Sequence, residues 1–194
     1  MDLLTEQKAR FRKDISSKRD ALSFHERELK NSALQHRLLN LPAIRSAQTI
    51  FIYVSFRNEA ATQAIISAAL DGGKIVAVPF TDMKNKRLIP SRIFSLREDL
   101  APGAMGILEP RPDKIIPIRT ESIDVVITPG VAFSELGWRL GYGGGFYDKF
   151  FKEFPKISYA LAFEVQIVPA VPFDDRYDMQ VDNIVTEERV ICCK

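Results

Sequence analysis

The chain has 194 residues, a formal net charge of +2, and 46% hydrophobic and 27% charged residues. A chain of that length is expected to form a single domain, 1–194, with its own core, and the composition is that of an ordinary globular protein, not a disordered or fibrous one. So small a net charge gives no ground for a nucleic-acid or membrane partner, and no apolar run approaches the length of a bilayer span.

The opening Met1-Asp2-Leu3-Leu4-Thr5-Glu6 lacks the apolar stretch of a signal peptide, and its acids argue against a transit peptide. Cys192 and Cys193 are adjacent at the far end. Neighbouring cysteines rarely bridge each other, and two cannot make a tetrahedral zinc site. They are expected as small apolar side chains in a terminal strand. A reducing, cytoplasmic location is the expectation.

Residues 3–22 have the pattern of an amphipathic helix, with Leu4, Phe11, Ile15 and Leu22 on one stripe. Lys8, Arg12 and Arg19 fall within about 40° of one another beside that stripe. Basic side chains at such a border can lie along the protein and reach inward. Spacing alone favours a solvated charged face.

Ser23 and Glu26 have the spacing of a capping box for a second helix running to about Leu39. Leu34, Leu38 and Leu41 are its predicted buried edge, and Pro42 its stop. Thr49 to Val54 has the β-branched and aromatic content of a buried strand. Asn58 and Glu59 follow it, where a carboxylate suits either a helix N-terminus or a hydrogen bond to a heterocycle. A helix over 60–71 ends at Gly72-Gly73, and Lys74 to Phe80 is the next strand.

Leu88 to Phe94 is a candidate strand interrupted by Pro90, and 97–122 reads as surface loop. Asp124 to Thr128 is a further strand. Residues 147–153 are expected as a helix, Ile157 to Phe163 as a strand, and 164–180 as loop with a short helix. Ile184–Val185 and Val190–Cys193 are short final strands. Strands alternating with helices imply a layered α/β fold with a largely parallel sheet. His25 and His36 are expected at the surface.

Between the strand at 124–128 and the helix at 147 lies Arg139-Leu140-Gly141-Tyr142-Gly143-Gly144-Gly145-Phe146-Tyr147-Asp148. Four of the chain's ten glycines fall within five positions there. A tight turn needs one or two glycines, so this cluster implies unusual backbone or close approach of a ligand. Arginine, glycine-flanked amides, a helix N-terminus and an aspartate are the parts of a phosphate site. The loop is neither a Walker loop nor a dinucleotide fingerprint, because no Gly-Lys-Ser/Thr follows and Phe146 occupies the third glycine position.

Pro129-Gly130-Val131-Ala132-Phe133, Gly137 and the run Arg139 to Asp148 together resemble the signature of the 5-formyltetrahydrofolate cyclo-ligases. The resemblance extends to Lys-x-x-x-Arg at Lys8 and Arg12, to Glu59, and to an acidic stretch at Asp174–Asp182. It implies a three-layer α/β sandwich related to sugar-phosphate isomerase and CoA-transferase-like domains. The implied activity is ATP-dependent closure of 5-formyltetrahydrofolate to 5,10-methenyltetrahydrofolate, releasing ADP and phosphate, with Mg²⁺ required.

By the same resemblance Lys8, Arg12, Arg139, Leu140, Gly141, Tyr142, Gly143, Gly144, Gly145, Phe146 and Tyr147 bind ATP. Phe56, Glu59, Tyr142, Gly143, Gly144, Gly145 and Phe146 contact the folate, and Met105 lines its pocket. Asp148 and Asp178 hold Mg²⁺, with Asp182 the weaker alternative. Phe146 stands where many members carry Tyr, which keeps a ring and loses a hydroxyl. No protein nucleophile is expected, and a monomer is the expectation. Two other classes fit the fold: a non-catalytic binding module, and a sugar-phosphate-isomerase-like enzyme that needs no ATP. The first should have lost Lys8, Glu59 or Asp148, and none is lost.

Overall fold

The computed structural model describes residues 3–154 and 156–193; Met1, Asp2, Pro155 and Lys194 lie outside them. Helix α1 spans Leu3–Asp20, α2 Phe24–Leu39 and α3 Pro42–Ser46. Strand β1 (Thr49–Ile52) leads to α4 (Gln63–Asp71), β2 (Ile75–Asp82) and β3 (Arg87–Ile93). A short α5 (Leu96–Asp99) precedes β4 (Leu100–Pro102), β5 (Leu108–Pro110) and β6 (Val125–Thr128). Then come β7 (Ala132–Phe133), β8 (Arg139–Leu140), α6 (Phe146–Glu153), β9 (Ser158–Leu161), β10 (Asn183–Val185) and β11 (Val190–Cys192).

Seven strands form one sheet in the order β11-β10-β9-β6-β1-β2-β3. The pairs β10/β9, β9/β6, β6/β1 and β1/β2 are parallel, and both edge pairs are antiparallel. The side-chain period of two explains the layers. Ile50, Ile52, Val76, Val78, Val125, Ile127, Leu161 and Val185 pack on the side of Leu34, Leu38, Ile44, Ile65 and Ile66 from α2, α3 and α4. The intervening Phe51, Ala77, Val126, Ala160 and Ile184 face Phe150, Phe151 and Phe154 of α6. Strands so covered on both faces need unbroken apolar runs, which is how β1 and β6 read in the sequence. The result is the expected three-layer sandwich.

Helix α1 stands apart. It rests Ile15, with Phe11 beside it, on Val131, Ala132, Leu140 and Val171, around the β7–β8 hairpin. Of the expected stripe, Phe11 and Ile15 make this contact, whereas Leu22 lies beyond the helix end at Asp20 and packs with Leu34 and Leu38. The capping box of α2 is complete: the Glu26 amide donates to Ser23 Oγ at 3.2 Å and the Ser23 amide to Glu26 Oε2 at 2.8 Å.

Four expectations need correction. Pro42 opens α3 as its first residue, where its missing N–H leaves no bond unmade. The helix expected from residue 60 begins at Gln63, because the Ser55 amide donates to Thr62 Oγ1 (2.9 Å) and the Thr62 amide to Ser55 Oγ (3.0 Å). These reciprocal bonds pinch 55–62 into a loop. The segment 97–122 is not all loop, since it contains the end of α5 and the β4–β5 hairpin. Cys192 is exposed, on the outward side of edge strand β11; only Cys193 packs against the core. Pro90 is tolerated in β3 because that strand is an edge, and its carbonyl accepts from the Ile118 amide at 2.9 Å. His25 and His36 are exposed, as expected.

Candidate functional site

The parallel strands β1 and β6 release their chains at the same end of the sheet, where open α/β folds gather ligands. From β1 the chain enters the pinched loop bearing Phe56 and Glu59. From β6 it passes Pro129 and Gly130 into the β7–β8 hairpin and then the glycine loop. Gly130 is required by packing: a Cβ there would lie 2.4 Å from the Phe133 ring and 3.1 Å from Arg139 Cγ.

In the glycine loop, Gly143 has φ 101° and Gly145 φ 67°, a left-handed conformation that side chains resist. Gly145 is the N-cap of α6 and offers no side-chain cap, so the amides and positive dipole end of the helix face the loop. Arg12 reaches across from α1, its Nε donating to the Gly141 carbonyl at 2.7 Å and its guanidinium lying 3.6 Å from where a Cβ on Gly143 would stand. Burial lowers the Arg12 pKa below its usual value, and nearby Asp178 partly offsets this.

Arg139 is buried and pairs through a terminal nitrogen with Asp148 Oδ1 at 2.8 Å. Its guanidinium stands 5.6 Å from the centre of the Tyr147 ring, and its Nε has no partner among the described residues. The same Asp148 oxygen accepts from the Met179 amide at 3.2 Å. That contact brings the 174–179 loop to the glycine loop, and with it Asp178. Asp178 Oδ2 accepts from the Asp174 amide at 2.7 Å and pairs with the Lys8 ammonium. Lys8, Arg12, Arg139, Asp148 and Asp178, scattered through 170 residues of sequence, therefore meet at one place.

For both aspartates the hydrogen bonds to described residues fall on one oxygen, Oδ1 of Asp148 and Oδ2 of Asp178. Two half-engaged carboxylates are suitable ligands for a hard divalent cation, which takes its other positions from phosphate and water. Among the described residues no group of three or more acidic, His or Cys side chains forms that could hold a metal alone. Asp182 lies elsewhere. Its Oδ2 accepts from the Ser158 amide (2.9 Å) and hydroxyl (2.7 Å), at the start of β9 and thus the opposite end of the sheet.

The other side of the cleft is enclosed. Glu59 Oε2 accepts from the Phe56 amide at 2.8 Å, which curls the loop onto its own carboxylate. Burial raises Glu59 above the usual carboxylate range, opposed by hydrogen bonds from Tyr142 and the Phe56 amide and by the charge of Arg19. Tyr142 is 55% exposed, yet its hydroxyl end is enclosed between Arg19 and Glu59, and that burial together with the Glu59 charge raises its pKa. Tyr147 is raised still further by burial, and its hydroxyl has no partner among the described residues. Tyr53 is buried below them, donating to the Ala60 carbonyl at 2.6 Å. Phe56 is half-buried and lies 3.9 Å from where a Cβ on Gly106 would be, so the β4–β5 hairpin tip sits over this side. The neighbouring Met105 is 68% exposed, with φ 58°.

Leu140 is buried as a core residue of the β7–β8 hairpin, so only its backbone faces the loop. Phe146 opens α6 half-buried, its ring 2.6 Å from the Cβ position of Gly144. Sequence reasoning placed Arg19 on the basic border of the first helix without giving it a role, and passed over Tyr53. The only signal for Arg19 was its place two turns beyond Arg12 on the same helix face. It also left Glu109 without a role; this buried carboxylate accepts from the Thr81 hydroxyl at the end of β2.

A parallel sheet between helices, with cations, acids and a glycine loop assembled at its carboxyl edge, defines an α/β protein suited to small anionic ligands. A model of the 5-formyltetrahydrofolate cyclo-ligase family matches residues 4–187, and the chain belongs to that family of ligases. It is 28% identical to the 5-formyltetrahydrofolate cyclo-ligase of Escherichia coli K12, over 91% of this chain and 98% of that one. It is 30% identical to the mitochondrial 5-formyltetrahydrofolate cyclo-ligase of Arabidopsis thaliana, over 98% of this chain and 78% of the relative. The NMR structure of Aquifex aeolicus 5,10-methenyltetrahydrofolate synthetase superposes with a TM-score of 0.84 at 29% identity, covering 96% of this chain and 93% of that one.

Proposed function

We propose that the chain closes 5-formyltetrahydrofolate to 5,10-methenyltetrahydrofolate at the expense of ATP, releasing ADP and phosphate. The formyl oxygen attacks the γ-phosphorus and ADP departs. Nitrogen 10 then adds to the activated formyl carbon, loses its proton, and the carbon–oxygen bond breaks as phosphate leaves. Both nucleophiles belong to the substrates. The protein's part is positioning and stabilising charge.

The observation that carries this reading is the two-sided cleft: a buried carboxylate under aromatic rings on one side, and paired cations and acids around a glycine loop on the other. Glu59 with Phe56 takes the folate ring, the carboxylate accepting from ring N–H groups. Lys8, Arg12 and Arg139 take phosphate oxygens, with the amides from Leu140 through Tyr147 lining the chain. Tyr142, Gly143, Gly144, Gly145 and Phe146 stand where the two ligands meet. Asp148 and Asp178 hold Mg²⁺, which when bound neutralises charge on the transferring phosphoryl group. These two acids also pair with Arg139 and Lys8.

The test is the absorbance of methenyltetrahydrofolate, followed with the chain and 5-formyltetrahydrofolate in the presence and absence of ATP and Mg²⁺. Product that requires both is expected. Product without ATP, or ATP binding without any product, rejects the reading. No helix among the described residues is long and apolar enough to cross a membrane.

A further inference from the structure

We propose that Arg19 is a positioning residue: through the Tyr142 hydroxyl it fixes Glu59 relative to the glycine loop, so that both sides of the cleft are set by one helix. The inference rests on the folate-side role given to Glu59 above.

Arg19 is 5% exposed, near the end of α1. A guanidinium only donates hydrogen bonds, and one of its terminal nitrogens donates to Tyr142 Oη at 2.9 Å. The hydroxyl has one proton, and with its lone pair engaged by Arg19 that proton is free to turn toward the Glu59 carboxylate, whose ionisation Tyr142 and Arg19 both favour. A second link runs parallel. Arg19 Nε contacts Asp20 Oδ1 at 3.4 Å, and the same oxygen accepts from Asn58 Nδ2 at 3.1 Å, one residue before Glu59. Arg12, two turns earlier on α1, holds the Gly141 carbonyl. One helix therefore grips the glycine loop at Gly141 and Tyr142, and the substrate loop at Asn58 and Glu59.

A residue that merely filled space would leave the ionisation of Glu59 alone. The groups facing that carboxylate are Arg19 from α1, Tyr142 from the glycine loop, Tyr147 from α6 and Tyr53 beyond β1, with Asp20 beside Arg19. Arg19 is the cation among them, and with the Tyr142 hydrogen bond it opposes the burial that favours the neutral acid. Removing Arg19 or the Tyr142 hydroxyl therefore moves Glu59 further toward its neutral form.

The experiment compares Arg19→Met, Arg19→Lys and Tyr142→Phe with the parent protein. Two measurements are made: kcat/KM for 5-formyltetrahydrofolate against pH at saturating ATP, and the titration of the Glu59 carboxyl carbon by NMR, assigned with Glu59→Gln. In Arg19→Met and Tyr142→Phe, the acidic limb and the carboxyl titration should both move to higher pH, and KM for the folate should rise about tenfold. In Arg19→Met, ATP affinity by calorimetry should fall far less than folate affinity. Arg19→Lys, which keeps the cation, should fall between. A carboxyl titration that stays at the parental pH in a folded variant overturns the proposal, as does a loss of ATP affinity in Arg19→Met equal to its loss of folate affinity. If the parent protein makes no methenyl product, the proposed function fails by itself and the carboxyl titration still decides the role of Arg19. If Arg19→Met does not fold, Tyr142→Phe decides it.

Discussion

The two sides of the cleft treat charge in opposite ways. Around the glycine loop, acids and bases come in matched pairs, Arg139 with Asp148 and Lys8 with Asp178, near exposed backbone. Around Glu59, a carboxylate is desolvated among tyrosines, and its nearest cation is reached mainly through a hydroxyl. A paired site holds its charges ready at little cost and must break those pairs when a ligand arrives. A desolvated site stores an unfavourable ionisation that a substrate with hydrogen-bond donors can relieve. The comparison predicts that substitutions on the first side weaken stability and nucleotide binding together, and that those on the second weaken folate binding and spare the nucleotide.

Arg139→Ala should have the largest effect. Sequence reasoning alone would expect the fold to persist unharmed. The Arg139 side chain is 3% exposed and holds Asp148, so truncation leaves a carboxylate without its cation and a gap beneath Tyr147. Removing one partner of a buried pair costs about 3–5 kcal/mol, toward the lower end here because Asp148 can relax to solvent. Chemical denaturation should report that loss, and calorimetry should show ATP affinity down more than about tenfold. Unaltered stability with weakened ATP binding would mean that the pair is not formed in solution.

On the metal question, Asp148→Asn and Asp178→Asn should each raise the Mg²⁺ concentration for half-maximal activity. They should differ in stability. Asp178 also accepts from the Asp174 amide at 2.7 Å, closing its own loop, whereas Asp148 balances the buried Arg139. Asp148→Asn is therefore the more destabilising of the two. If neither changes the Mg²⁺ requirement, these carboxylates serve the loops and not the ion.

Glu59→Gln turns the comparison around. Burial raises the pKa of Glu59, so between the ordinary carboxylate range and the raised one the folded state holds a proton that the unfolded chain has released. Stability then falls as pH rises through that interval. The Gln variant keeps an acceptor for the Phe56 amide and has nothing to titrate. Its thermal midpoint should match the parent's in acid and exceed it at neutral pH, while KM for the folate rises and ATP affinity holds. A lower midpoint at neutral pH would show that Glu59 is a structural anchor.

How much of this is legible in the sequence depends on the distance over which the information is carried. Strands β1, β2, β6 and β9 announce themselves because they are buried on both faces and need continuous apolar runs. The α2 cap is legible because Ser23 and Glu26 are three residues apart. The hairpins β4–β5 and β7–β8 are not, because strands of two or three residues leave no period to read. The site was named by resemblance and not by pattern: Lys8 meets Asp178 only once α1 lies across the sheet end. Arg19 is legible as a member of the basic border of α1, but its role is not, since that depends on the register among residues 19, 59 and 142, which no local spacing encodes.

The smallest expected effect supplies the control that the comparison needs. Ser23→Ala removes the oxygen that accepts from the Glu26 amide at 3.2 Å and leaves the N-terminus of α2 half-capped. Loss of such a cap costs about 1 kcal/mol. The cap lies between α1, whose Lys8, Arg12 and Arg19 enter both sides of the cleft, and α2, whose Leu34 and Leu38 are core. If α1 is held by its own contacts with the β7–β8 hairpin and the glycine loop, the lost stability should not reach the cleft. KM for the folate, affinity for ATP and the pH of the acidic limb should then all equal the parent's. If instead KM rises with this variant, destabilisation alone disturbs the cleft, and the changes at Arg139 and Arg19 would have to be measured against that background before being assigned to the ligands.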